Sequence, residues 1–259
     1  MKKNKKIKQI VKNKYAQIAV ENSNCGCGCD SKQNISKSIG YSDKDLKIAK
    51  GANLGLGCGN PVAFSKIKEG NTVLDLGCGA GIDCFLAAKK VGKNGKVLGV
   101  DMTEEMVNKA KLNAQKMGIK NIKFIVADIE NLPVKDNTVD IIITNCVINL
   151  TPNKTKAFKE AHRVLKIGGK VYLSDIVLLK KLSEKQKKDN DLLTGCVAGA
   201  LLRKDYLKKI KGAGFKVNIL HENKEISKKQ YNGIALESLM VEAIKNSPGI
   251  FMYKGNYSV

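Results

Sequence analysis

Residues 73–83 read VLDLGCGAGID and join a strand pattern to a helix pattern through three alternating glycines. The apolar residues before the glycines are typical of a strand that is covered on both faces. Gly77, Gly79 and Gly81 permit a tight turn and allow a ligand to touch the backbone, and the following helix offers free N–H groups. This stretch therefore predicts a nucleotide-type binding loop after a first parallel strand.

Strand and helix patterns alternate along the chain from this loop onwards. Val/Ile/Leu-rich runs predict strands at 72–76, 96–100, 122–126, 139–144 and 170–174, and helical spacing covers 82–90, 104–117 and 154–165. This order predicts an α/β fold with a doubly wound, mostly parallel sheet and helices on both faces. Two later runs, 215–220 and 238–244, predict an antiparallel C-terminal edge, which makes the sheet seven-stranded and Rossmann-like.

The segments that precede this core are interpreted as a helix and loops. Residues 2–20 carry apolar side chains at helical spacing among lysines, and 22–40 indicate a flexible loop. Ser42 with Asp45 is typical of a capped helix start. Residues 51–61 are too rich in glycine for a helix or strand.

These patterns predict one main domain with additions. We assign residues 1–60 to an N-terminal helix and Cys/Gly-rich loops that cover the site, and 61–259 to the main domain. A helical, polar stretch follows Asp175 to about Gly212, and we place an acceptor-site insertion near 180–212. We expect a monomer.

Charge and hydropathy restrict the partners. The net charge is +22, but Arg163 and Arg203 are the only arginines and Trp is absent, so nucleic acid is an unlikely partner. Because no apolar run of about 18 residues occurs, we expect no membrane association. The basic N-terminus lacks an apolar segment and a cleavage site, and we therefore expect a cytoplasmic protein.

Acidic residues follow three of the predicted strands. Asp75 would repel a pyrophosphate but attract an ammonium group, and Asp101 can accept two ribose hydroxyls. Asp128 can accept from an adenine amino group. Together with the G-x-G-x-G loop, this series resembles the class I S-adenosylmethionine-dependent methyltransferases. The resemblance implies S-adenosyl-L-methionine as cofactor, bound by Asp75, Gly77, Cys78, Gly79, Gly81, Asp101, Met102, Asp128, Ile129 and Asn145.

Eight cysteines carry further chemistry. Cys78 and Cys84 are interpreted as small apolar residues beside the loop. Cys146 follows the fourth predicted strand, where ligands bind in open α/β sheets, while Cys58 and Cys196 lie in segments that can reach the same cleft. From position alone, each of these three thiols can be interpreted either as inert or as functional, and both interpretations stay open.

A second resemblance is more specific. The strings GLGCGNP, VLGVDMTEEM, IENLPV, TNCVINL and GCVAGA are similar to those of the arsenite methyltransferases, from about Ile10 to Val217. This resemblance implies that Cys58, Cys146 and Cys196 hold trivalent arsenic as the small-molecule substrate, since soft thiolates select thiophilic centres. It also implies a thiol reductant, such as glutathione, as co-substrate.

The cluster Cys25, Cys27 and Cys29 departs from the family pattern, in which a single cysteine lies upstream. It could relay arsenic, form a disulfide, bind another thiophilic metal or be inert. Three other functions stay open: methylation of a quinone- or sterol-type acceptor, metalloid sequestration without catalysis, and RNA methylation suggested by net charge alone.

Overall fold

The computed structural model describes residues 2–21 and 32–246. The Cys25, Cys27 and Cys29 cluster lies outside these residues, and so does the C-terminal stretch 247–259. Among the described residues, no helix is both long enough and apolar enough to cross a membrane.

The helices and strands follow the alternation that the sequence predicts. The helices are α1 (Lys2–Glu21), α2 (Lys32–Ser38), α3 (Asp43–Ile48), α4 (Pro61–Phe64), α5 (Ile82–Val91), α6 (Glu104–Lys116), α7 (Lys154–Val164), α8 (Glu184–Lys187), α9 (Asn190–Thr194), α10 (Arg203–Gly212) and α11 (Glu225–Gln230), with a 3-10 turn at Ile148–Leu150. The strands are β1 (Thr72–Leu76), β2 (Lys96–Asp101), β3 (Ile122–Val126), β4 (Val139–Asn145), β5 (Leu165–Leu178), β6 (Phe215–Asn223) and β7 (Leu236–Lys245).

These seven strands form one sheet in the order β3-β2-β1-β4-β5-β7-β6. β1 pairs in parallel with both β2 and β4, whereas β7 runs antiparallel to β5 and β6. The predicted mostly parallel sheet with an antiparallel C-terminal edge is therefore confirmed. The strand order reverses between β1 and β4, and open α/β sheets bind ligands at such a reversal.

Two local predictions were wrong. Residues 32–38 form α2 and not a loop, because Ile35 is buried and the Ser36 hydroxyl donates to Asn53 Oδ1 at 2.8 Å. β5 also continues to Leu178, beyond the predicted end at 174, since its residues 170–178 pair with β7. The helical stretch expected after Asp175 consequently begins at Glu184.

The N-terminal helix packs on the main domain through an apolar stripe. Val11 and Ile18 are buried in the same apolar core as Val73 of β1. The predicted cap of α3 is present, because the Ser42 hydroxyl accepts from Asp45 N–H and the Asp45 carboxylate accepts from Ser42 N–H. These contacts bring α1 and the loops that follow α3 to the carboxyl ends of the parallel strands.

Candidate active site

A cleft lies at the carboxyl ends of β1, β2 and β4, and its empty volume, including the open mouth, is about 1370 Å³. Its lining includes nine of the ten residues predicted to bind the cofactor: Asp75, Gly77, Cys78, Gly79, Asp101, Met102, Asp128, Ile129 and Asn145. Gly81 is outside this lining. It caps α5 with φ 99°, and a Cβ there would lie 2.8 Å from the Phe85 ring.

The glycine loop leaves space where a ligand would lie. Gly77 has φ 71°, and an added Cβ would meet Val147 at 2.3 Å, so packing excludes a side chain there. Gly79 has φ 51°, and an added Cβ would have no atom within 4 Å. A side chain at Gly79 would instead occupy the cleft, and the backbone there is open to close approach by a ligand.

Two buried acids line the loop. Asp75 is 2% exposed, and burial raises its pKa well above the usual range, an effect that Asp83 reinforces. The Cys84 thiol donates to Asp75 Oδ2 at 3.2 Å. Burial also raises the pKa of Asp101, which accepts N–H bonds from Gly79 and Thr103. A cationic ligand group beside Asp75 would favour its charged form, so the site fits an ammonium group.

Asp128 has a partner that the sequence patterns did not suggest. Lys8 of α1 donates to Asp128 Oδ2 at 2.5 Å and to Glu130 Oε2 at 2.7 Å. Lys8, Val11 and Tyr15 of this helix also line the cleft. The end of the cleft at Asp128 is therefore bounded by the N-terminal helix as well as by the sheet.

The structure brings the sulfurs of two predicted arsenic ligands together and places the third beside the backbone of one of them. Cys58 and Cys146 are joined by a disulfide with a Cα–Cα distance of 6.0 Å, and the Cys196 thiol donates to the Cys146 carbonyl oxygen at 2.8 Å. Cys146 and Cys196 line the cleft, whereas Cys58 is buried and is not part of the lining. Both lining cysteines have positive φ, 58° and 67°, which non-glycine residues rarely adopt and which often occurs at functional sites.

Asp175, within β5, joins this group although the sequence analysis did not select it. One of its carboxylate oxygens and the sulfurs of Cys58 and Cys146 all lie within 4.8 Å of one another. Burial raises the pKa of Asp175 to about 7, opposed by the hydrogen bond from the Tyr206 hydroxyl at 2.7 Å. Its position after a buried strand run, in VYLSD, was the available signal.

The strand order, glycine loop and acids at successive strand ends define the class of S-adenosylmethionine-dependent methyltransferases. A family model described as a methyltransferase domain matches residues 67–214, more than half of the chain. The crystal structure of an arsenic(III) S-adenosylmethionine methyltransferase from Chlamydomonas reinhardtii superposes with a TM-score of 0.66 and 30% identity, covering 86% of this chain and 76% of that one.

Two curated relatives are similar over much of the sequence. The chain is 44% identical over 222 residues to the arsenite methyltransferase of Halobacterium salinarum, covering 80% of this chain and 57% of that protein. It is 38% identical over 178 residues to the arsenite methyltransferase of Aquipseudomonas alcaligenes, and the match covers 66% of this chain and 51% of that protein. The chain belongs to the arsenite methyltransferase family, and it spans about half the length of the curated relatives it matches.

Proposed function

We propose that this chain methylates trivalent arsenic held by Cys58, Cys146 and Cys196. The observation that carries the proposal is that three separate segments bring Cys58 to Cys146 and the Cys196 thiol to the Cys146 carbonyl, with Cys146 and Cys196 lining the cleft beside the glycine loop. Thiolates are soft ligands that suit a thiophilic centre. Three sulfur ligands leave the arsenic lone pair free to attack a methyl carbon, so the reaction needs no strong general base.

The residues around the glycine loop fit S-adenosylmethionine. When bound, this cofactor supplies an electrophilic methyl group. Asp75 would hold its ammonium, Asp101 its ribose hydroxyls and Asp128 its adenine amino group. Gly79 leaves the backbone open to it, because nothing lies within 4 Å of the position of a Cβ. Met102 and Ile129 would contact the apolar faces of S-adenosylmethionine. The contribution of the protein is to hold two reactants in position and to exclude water.

The disulfide implies that a thiol reductant takes part. Cys58 and Cys146 cannot act as thiolate ligands while they are bonded to each other. Two molecules of glutathione or an equivalent thiol would reduce this bond, giving two cysteine thiols and one oxidised glutathione. Each cysteine thiol could then displace one thiol from an arsenic–thiol conjugate, and the released thiol carries the proton away. A reducing compartment such as the cytoplasm would favour this reaction.

A direct assay tests the proposal. Purified reduced protein is supplied with arsenite, S-adenosylmethionine and glutathione, and methylarsenicals are separated and quantified by element-specific mass spectrometry. We expect methylated product from the wild type and none from Cys146→Ser, with cofactor affinity by calorimetry unchanged in the variant. A wild type that binds the cofactor and forms no product would overturn the proposal.

Two further outcomes would point to other functions. Serine at positions 58, 146 and 196 together, with retained activity on a quinone-type acceptor, would indicate an organic substrate. Stoichiometric arsenite binding that needs no cofactor and leads to no turnover would indicate sequestration.

A further inference from the structure

We propose that Tyr41 and Asn145 are positioning residues that hold Cys58 in place against Cys146. The proposal concerns the spacing of the two sulfurs, and it rests on the proposed function only for its consequence in arsenic binding. Tyr41 lies between α2 and α3, and the sequence analysis assigned it no role.

The side chain of Asn145 hydrogen-bonds to the backbone of Cys58 and of the next residue, Gly59. Its Oδ1 accepts from the Cys58 N–H at 3.0 Å and lies 3.9 Å from the Cys58 sulfur. Its Nδ2 donates to the Gly59 carbonyl at 2.6 Å. Asn145 is also the residue before Cys146. One side chain therefore connects two cysteine-bearing segments that are 88 residues apart in the sequence.

Tyr41 is a third partner that stabilises the direction in which the Asn145 amide points. The Tyr41 hydroxyl donates to Asp83 Oδ1 at 2.8 Å and accepts from Asn145 Nδ2 at 3.0 Å. Because the hydroxyl proton is committed to Asp83, the hydroxyl oxygen is left to accept, and the amide must present its NH2 group there. The Cys58 N–H and the Gly59 carbonyl require the same orientation, so the Tyr41 hydroxyl reinforces the direction of the amide oxygen toward Cys58. Burial, with the nearby Asp83 charge, raises the pKa of Tyr41 well above its usual value, so the hydroxyl stays protonated.

The packing leaves little freedom for another arrangement. A Cβ at Gly57 would lie 2.7 Å from Asn145 Nδ2, so the loop before Cys58 closes directly on this amide. On the opposite side, the Ser238 hydroxyl donates to the Cys58 carbonyl at 2.6 Å. Asp83 lies in the first turn of α5, the helix that follows the glycine loop, and it lines the cleft. The chain Asp83–Tyr41–Asn145–Cys58 therefore links the cofactor loop to the first thiol.

The test measures how readily the Cys58–Cys146 disulfide is reduced. Full-length wild type and Tyr41→Phe are equilibrated in buffers of reduced and oxidised glutathione. The oxidised fraction of Cys58–Cys146 is then read by alkylation and peptide mass spectrometry. We expect Tyr41→Phe to shift the equilibrium toward the dithiol about fivefold to tenfold, since a positioning hydrogen bond is lost.

Tyr172→Phe is the matched control. The Tyr172 hydroxyl is also buried and also donates to a carboxylate at 2.8 Å, that of Glu242, which belongs to neither cysteine-bearing segment. Equal shifts in the two variants would overturn the proposal, since the effect would then be one of general stability. The double variant Tyr41→Phe/Asn145→Ala should match Asn145→Ala alone, because Tyr41 acts through Asn145. If the shifts in the disulfide equilibrium were instead additive in the double variant, Tyr41 would not act through Asn145. Asn145→Ala alone carries the test if Tyr41→Phe does not fold.

Arsenite binding separates this proposal from the proposed function. By equilibrium dialysis of reduced protein without cofactor, Tyr41→Phe should bind arsenite about tenfold more weakly, as expected when a ligand-orienting partner is removed. Calorimetry should give its affinity for S-adenosylmethionine within about twofold of wild type, whereas a parallel loss there would overturn the assignment. If the wild type binds no arsenite, the proposed function fails, and the glutathione equilibrium still decides the roles of Tyr41 and Asn145.

Discussion

Lys8 and Asp128 are 120 positions apart in the sequence, yet the Lys8 ammonium lies 2.5 Å from a carboxylate oxygen of Asp128. The same ammonium lies 2.7 Å from Glu130 Oε2. The three side chains are partly shielded, with exposures of 27%, 39% and 10% for Lys8, Asp128 and Glu130. This ion pair attaches the N-terminal helix to the end of the cleft where the cofactor adenine is proposed to bind.

Replacing Lys8 should loosen that helix. We expect Lys8→Ala to increase amide hydrogen exchange across residues 2–21 and to speed cofactor dissociation by about fivefold, because a half-buried ion pair is worth ~1 kcal/mol. Stopped-flow displacement and exchange mass spectrometry measure the two effects. Lys12→Ala, at an exposed position on the same helix, serves as the control. Identical exchange in wild type and Lys8→Ala would show that the ion pair does not hold the helix.

A methyl group at Gly79 should block the cofactor without disturbing the fold. Its φ of 51° is near the left-handed region that alanine can enter at modest cost, and the new Cβ would meet no protein atom within 4 Å. We expect Gly79→Ala to weaken S-adenosylmethionine binding at least tenfold by calorimetry. Gly118→Ala is matched, with φ 66° and equally open space, but it follows α6 away from the cleft. Similar melting temperatures with unequal affinities are expected, and equal affinities would place the cofactor elsewhere.

Glu242 should make stability depend on pH. Desolvation opposes its ionisation, but hydrogen bonds from Lys170, Asn218 and Tyr172 outweigh it and lower its pKa from 4.5 to about 2. Its stabilising contribution is therefore complete above pH 4.5 and is lost as the pH falls toward 2, amounting to up to about 3 kcal/mol.

Urea denaturation between pH 3 and 7 tests this prediction. The difference in free energy of unfolding between wild type and Glu242→Gln should shrink as the pH falls. Glu184→Gln is the control, because Glu184 is exposed and its ion pair with Lys187 is screened by solvent. A pH-independent difference for Glu242→Gln would contradict the assigned cause.

Much of the lining of the candidate site could be predicted because its signals are local. The glycines at 77 and 79 and the acids at 75 and 101 follow strand runs whose composition is visible in a short window. In a parallel sheet, such strand ends meet at one edge, so local patterns imply a shared site. The position of Asp128 in the cleft was predicted in the same way, whereas its partner was not, since Lys8 is one lysine among many and periodicity does not distinguish it.

By itself, the sequence determined the alternation of strands and helices, the glycine loop and the identity of the candidate thiols, since each depends on neighbouring residues and their spacing. Only the tertiary structure decided that Cys58 pairs with Cys146, that Asp175 lies beside them and that Asn145 donates to the Tyr41 hydroxyl. These contacts join residues that are distant in the chain. Their distances depend on how the strands are ordered and how the N-terminal segments pack over the sheet, and no local pattern encodes that arrangement.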